Sequence, residues 1–222
     1  MVHGLKPEDF AEILKILKER YQHGNGPLHV SDQMPFRVLI GAVLSHRTKD
    51  EKTDEAYHRL FSKFKDGHEL ANADVREIAH LIKPVGFYRQ KAKRIKKIAQ
   101  IIYGEKGGHV PDDREELMKL PGVGPKSADI VLSVAFGRPE IAVDTHVDTV
   151  AKRLGIASEK AGYEEVKKAL TEMVSVADAP YVNMLFVRFG RDICRKQKPR
   201  CQICPISHKC RYYAEKFTAP AS

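Results

Sequence analysis

Four cysteines are the chain's whole supply, and they fall together near its C-terminal end as Cys194-x6-Cys201-x2-Cys204-x5-Cys210. Thiolates are soft ligands. Four of them drawn from one short stretch can close around a single metal centre, where scattered thiols would read as packing residues or disulfide partners. Spacing leaves zinc and iron–sulfur both open: structural zinc favours two paired short spacings, and common ferredoxin spacings differ from this one.

A second segment carries chemistry of another kind. In Leu120-Pro121-Gly122-Val123-Gly124-Pro125-Lys126-Ser127-Ala128, two glycines one residue apart permit positive φ in a tight turn and a close approach to a neighbour. Pro125 suits the first turn of a following helix. The unpaired N–H groups of that turn, at the positive end of the helix dipole, make a site for a DNA phosphate that needs no particular base sequence. Gly122, Val123, Gly124, Lys126 and Ser127 are its candidate contacts, although an ordinary proline-capped helix connection has the same pattern. Lys126 lies where the dipole disfavours the ammonium form. A neutral amine there is a nucleophile: attack on a sugar C1′ displaces a base and leaves an imine, from which β-elimination cleaves the strand. The plainer alternative is a phosphate-binding or solvated lysine.

Asp144, in Ile141-Ala142-Val143-Asp144-Thr145-His146, follows an apolar run and precedes a helical one, a natural N-cap position. Its carboxylate could also face the nucleophile, ease its deprotonation and stabilise positive charge building on the sugar; with two oxygens it can cap and catalyse together. His146, in the first turn of that helix, reads as a packing or hydrogen-bonding residue and stays outside the catalytic set.

The elements that must position these residues are helical. Phe10, Ile13, Leu14 and Leu17 form one stripe, and Phe36, Leu39, Ile40, Val43 and Leu44 another, opening at Pro35. Val75, Ile78, Ala79 and Ile82 continue the pattern until Lys83-Pro84-Val85-Gly86 stops it, and Ala92, Ile95, Ala99 and Ile102 resume it until the glycines at 104, 107 and 108. Further helices are expected near 113–120, 126–136, 145–154, 163–175 and 181–191. Strand alternation is not sustained anywhere, so the chain is expected to be all-α. Lys and Arg total 38 against 29 Asp and Glu, a net charge of +9 that favours a polyanionic partner such as nucleic acid. No apolar run reaches the roughly 18 residues of a membrane span. The expectation is a soluble, cytoplasmic, nucleoid-associated protein with no membrane partner, in a reducing interior that suits clustered thiolates.

The hairpin LPGVGPKSA, the segment AVDTH with its aspartate eighteen residues after the lysine, and the terminal cysteine array occur here in order. Together they resemble the endonuclease III branch of the helix-hairpin-helix DNA glycosylase superfamily, over about residues 28–213. The resemblance implies a six-helix domain with the hairpin over residues 26–138, and a second helical domain of 1–25 plus 139–222, with the active site in the cleft between them. It implies a 4Fe-4S cluster on Cys194, Cys201, Cys204 and Cys210, Lys126 as nucleophile and Asp144 as catalytic aspartate. The implied activity is excision of oxidised pyrimidines from duplex DNA, followed by lyase cleavage at the abasic site, by a monomer. It also places Arg47 where many relatives carry a glutamine that wedges into the duplex. That departure leaves Arg47 open as a wedge that bonds the orphaned base, or as a phosphate contact.

Two basic stretches complete the expected footprint: Arg89, Lys91, Lys93, Arg94, Lys96 and Lys97 on one helix, and Arg195, Lys196, Lys198 and Arg200 between the first two cysteines. The helical run could equally be a solvated face. Three rivals stand beside the main reading: a mismatch-specific thymine or adenine glycosylase of the same superfamily, a non-catalytic DNA-binding protein, and an electron-transfer protein. Lys126 argues against the first and the pairing of Lys126 with Asp144 against the second. One basic hairpin on so long a chain argues against the third.

Overall fold

A computed structural model of the chain describes residues 5–21 and 34–218. Among them no strand occurs, and the architecture is all-α. The chain divides into two compact units, Met1–Leu28 with Pro139–Ser222 and His29–Arg138. The boundary expected at residues 25 and 26 lies outside the described residues.

The His29–Arg138 unit is built from α2 (Pro35–Ser45), α3 (Asp50–Lys63), α4 (Gly67–Asn72), α5 (Val75–Leu81), α6 (Tyr88–Gln100), α7 (Arg114–Met118) and α8 (Pro125–Phe136). Among the described residues of this unit these are seven helices, beside the six that the resemblance implies. Asp74 accounts for part of the difference, because its side chain accepts from Arg76 N and starts a new helix where 67–81 could have run on as one. α3 escapes the apolar pattern altogether. Its buried face is Thr53, Ala56, Leu60 and Phe61, a stripe in which only two residues are large and apolar. α2 is its opposite, with every residue from Val38 to Leu44 buried, because it runs through the core and packs along α8 and α3. Ile78, Ala92, Ile95 and Leu132 belong to the same core.

The other unit joins α1 (Pro7–Tyr21) to α9 (Thr145–Leu154), α10 (Tyr163–Met173) and α11 (Ala179–Asp192). Phe10, Ile13, Leu14 and Leu17 are fully buried or within 1% of it, and α1 lays this stripe on α11 and α10. Phe10 meets Phe186 edge to face with ring centroids 6.0 Å apart. Lys18 pairs with Asp178, and Arg188 donates to Tyr21 O, so α1 is held to this unit by polar bonds as well as apolar area. No helix among the described residues is long and apolar enough to cross a membrane.

Candidate active site and cysteine centre

In the hairpin between α7 and α8, Gly122 takes φ +81°, a left-handed turn that glycine adopts without penalty. The space above it is filled. A Cβ at Gly122 would lie 2.7 Å from Arg94 Cδ, so the exposed Arg94 of α6 lies across the hairpin. Arg114 Nε donates to Asp129 Oδ1 at 2.8 Å, and Asp129 is fully buried, which clamps α7 to α8.

Of the candidate phosphate contacts, Val123 is spent otherwise: its N–H donates to Leu120 O at 3.1 Å and its side chain sits in the core. Pro125 has no N–H and Ala128 N donates to Gly124 O. The first-turn amides without an intrahelical partner are therefore those of Lys126 and Ser127. The Ser127 side chain is buried and Lys126 is half-buried. Lys126, Arg47 and Arg94 share one electrostatic neighbourhood, visible at His46. Its pKa is lowered by burial first, then by Lys91, Arg47, Lys126 and Arg94 in turn. A neutral imidazole is what such a group of cations selects.

Arg47 is exposed with φ +52°, an uncommon conformation for a residue with a side chain. Beside it stands a residue that pattern reading does not flag: Phe87, 59% exposed with φ +56°. The basic run on α6 is not one face. Lys91 is buried, donating to Leu44 O, His46 O and Thr48 Oγ1, which removes it from the expected DNA footprint. Lys97 reaches Glu105 at 4.0 Å. Arg89 and Lys93 line a groove with Arg76, His80 and Lys83.

Asp144 caps α9. Its Oδ1 accepts from His146 N at 2.8 Å and Val147 N at 2.9 Å, so one oxygen does the capping and the other is left for further work. The run before it is buried, and its backbone is tied by Tyr163 OH, which accepts from Val143 N at 3.2 Å, and by Asn183 Nδ2, which donates to Ala142 O at 2.6 Å. Neither tie is legible in the sequence. His146 lies against α11: a Cβ on Gly190 would come within 2.7 Å of its Nδ1.

Cys194, Cys201, Cys204 and Cys210 line one cavity, with Val150, Ile193 and Ile206 among its apolar walls. Burial raises the pKa of all four thiols, that of Cys204 to about 11. Arg153 of α9 ties a thiol to the following loop: Nη1 donates to Cys194 Sγ at 3.3 Å and to Arg195 O at 2.8 Å, and Nη2 to Lys196 O at 3.0 Å. The loop cations Arg195, Lys196, Lys198 and Arg200 are exposed, and Arg200 approaches Asp192 at 3.8 Å.

Residues 40–175 match the family described as HhH-GPD superfamily base excision DNA repair protein. Endonuclease III of Thermotoga maritima is 44% identical over 86% of this chain and 89% of its own. That of Bacillus subtilis is 43% identical over 80% of this chain and 81% of its own. Among solved structures, a trapped endonuclease III–DNA covalent intermediate superposes with a TM-score of 0.86 at 36% identity, covering 95% of this chain and 98% of that one. A thermostable thymine-DNA glycosylase superposes with a TM-score of 0.84 at 26% identity, over 94% and 98%.

Proposed function

The chain belongs to the HhH-GPD superfamily of base excision DNA repair proteins and is an enzyme of the endonuclease III kind, a DNA glycosylase with abasic-site lyase activity, and on that premise we propose that it removes oxidised pyrimidines of the thymine glycol type from duplex DNA. The observation that carries the assignment of residues is Lys126, half-buried in the first turn of the hairpin's second helix.

In the proposed reaction the damaged base leaves the stack, at a cost of a few kcal/mol that is smaller for a poorly stacked lesion. The Lys126 amine bonds to C1′ as the C1′–N bond to the base breaks, and the base departs with a proton. The sugar ring opens to an imine between Lys126 Nζ and C1′. Loss of a C2′ proton then expels the 3′ phosphate by β-elimination, and water releases Lys126. The Asp144 carboxylate offsets the positive charge that builds on the sugar. The Lys126 and Ser127 amides hold backbone phosphate. Arg47 enters the duplex as the base leaves, with exposed Phe87 beside it.

The four thiols fit a 4Fe-4S cluster. They share one cavity with apolar walls, and four soft thiolates from one short stretch are the donor set such a cluster takes. When bound, the cluster supplies a structural tie for the basic loop. Arg153, already bonded to Cys194 Sγ and to two loop carbonyls, orients that loop toward a DNA backbone.

A 5′-labelled duplex carrying one thymine glycol tests the proposal. The expected product is a strand cut without alkali and ending in the unsaturated sugar of β-elimination. Base release that yields a cut only after alkali, on a thymine mismatch and not on thymine glycol, would instead favour a base-release-only enzyme like the thymine-DNA glycosylase it superposes on. A single mass of one chain per duplex in light scattering tests the monomer.

A further inference from the structure

Arg47 and Phe87 are both held at positive φ, +52° and +56°, and both carry large exposed side chains. Residues other than glycine stay in that region only where their surroundings over-determine them. One residue does so for both turns. Lys91 is 2% exposed, and its partners are neutral oxygens rather than a carboxylate: Leu44 O at 2.6 Å, His46 O at 2.7 Å and Thr48 Oγ1 at 2.9 Å. Three donors meet three acceptors. Leu44 lies in the last turn of α2 and His46 is its C-cap, where carbonyls lack helical partners and a cation meets the negative dipole end. The acceptors thus bracket Arg47 on both sides. The backbone N–H of Lys91 donates to Phe87 O at 3.0 Å, the first bond of α6 that any residue there makes, so the side chain's own hold on the Phe87 turn runs through Thr48. The two turns also touch directly: Gly86 N donates to Thr48 Oγ1 at 3.3 Å, and a Cβ at Gly86 would lie 3.1 Å from Arg47 O.

We propose that Lys91 is a positioning residue that locks the Arg47 turn and the Phe87 turn together, so that the two exposed side chains meet the duplex in one fixed relation. The locking stands on the contacts alone; its consequence for DNA rests on the Arg47 reading above. An arginine cannot take over, because a planar guanidinium does not converge three donors from one nitrogen.

Two measurements on the cofactor-loaded enzyme separate these parts. In Lys91→Met, amide hydrogen exchange should accelerate about tenfold or more at residues 45–49 and 85–88, while α1 and α9 keep their rates. Affinity for lesion-bearing duplex should fall about tenfold, with cleavage of a preformed abasic site within about threefold, and the loss should shrink below about twofold in an Arg47→Ala background. Lys91→Arg should behave like Lys91→Met. Thr48→Ala, which removes one acceptor, should loosen both turns to a smaller degree and keeps the test open if Lys91→Met does not fold. Unchanged exchange in either turn would overturn the proposal, and so would equal loss of both activities that adds to that of Arg47→Ala. Loosened turns with unchanged lesion affinity would leave the lock standing and overturn the Arg47 reading.

Discussion

Replacing Asp144 by asparagine and by alanine separates the two tasks assigned to its carboxylate. The cap uses Oδ1 alone, through bonds of 2.8 and 2.9 Å to His146 N and Val147 N. Asparagine keeps an oxygen at that position and caps as well as aspartate, whereas alanine leaves both amides without it, at about 1 kcal/mol. For a chain of this size that is a fall of about 2–4 °C in melting temperature for alanine, and less than about 1 °C for asparagine. Removing the negative charge removes stabilisation of the developing cation in both variants, worth about 100- to 1,000-fold in rate. Single-turnover release of thymine glycol, beside thermal unfolding of the same samples, reads both quantities. Asparagine should unfold like the wild type and excise like alanine. If the asparagine variant excises within about threefold of the wild type, Asp144 is a cap and the charge has no part in the chemistry.

Arg47→Gly removes a side chain held at φ +52°, so it should raise stability by about 1 kcal/mol while weakening lesion binding; a lower melting temperature would contradict the strain. Gly122→Ala places a Cβ 2.7 Å from Arg94 Cδ at φ +81° and should cost about 1–2 kcal/mol. It should weaken affinity for lesion-free duplexes of any sequence to a similar degree, and a sequence-dependent loss would argue against backbone recognition. Lys91 is pushed down to about 8 from 10.5, first by burial and then by Arg94. Between those values only the unfolded chain binds the proton, so stability there should rise with pH. The stability difference between wild type and Lys91→Met should move in the wild type's favour from pH 8 to about 10.5, with other titrations cancelling. A difference constant across that window would refute the shift.

The residues with the most constrained chemistry were the ones legible in the sequence. Thiolates in one short stretch have few other uses, and the four cysteines line one cavity. An aspartate between an apolar run and a helix has a backbone task that its side chain performs here at His146 and Val147. The apolar stripes of α1 and α2 mark burial on one side and on nearly all sides. α3 was illegible because Thr53 and Ala56 make up half its buried face, and neither is a large apolar residue. Lys91 was misread as a surface cation because its burial depends on acceptors 43 to 47 residues away. No local pattern carries that distance. The left-handed conformations of Arg47 and Phe87 are hidden for the same reason, as neither residue type favours them and tertiary contacts impose them. Tyr163 and Asn183, which tie down the backbone ahead of Asp144, likewise declare themselves only in three dimensions.

Borohydride trapping on a thymine glycol duplex, with wild type and Lys126→Ala side by side, decides whether Lys126 is the nucleophile. Borohydride reduces the transient imine between Lys126 Nζ and C1′ to a stable amine. A covalent protein–DNA adduct should form with the wild type and none with the variant. No adduct with the wild type, or an equal adduct with Lys126→Ala, would contradict that role.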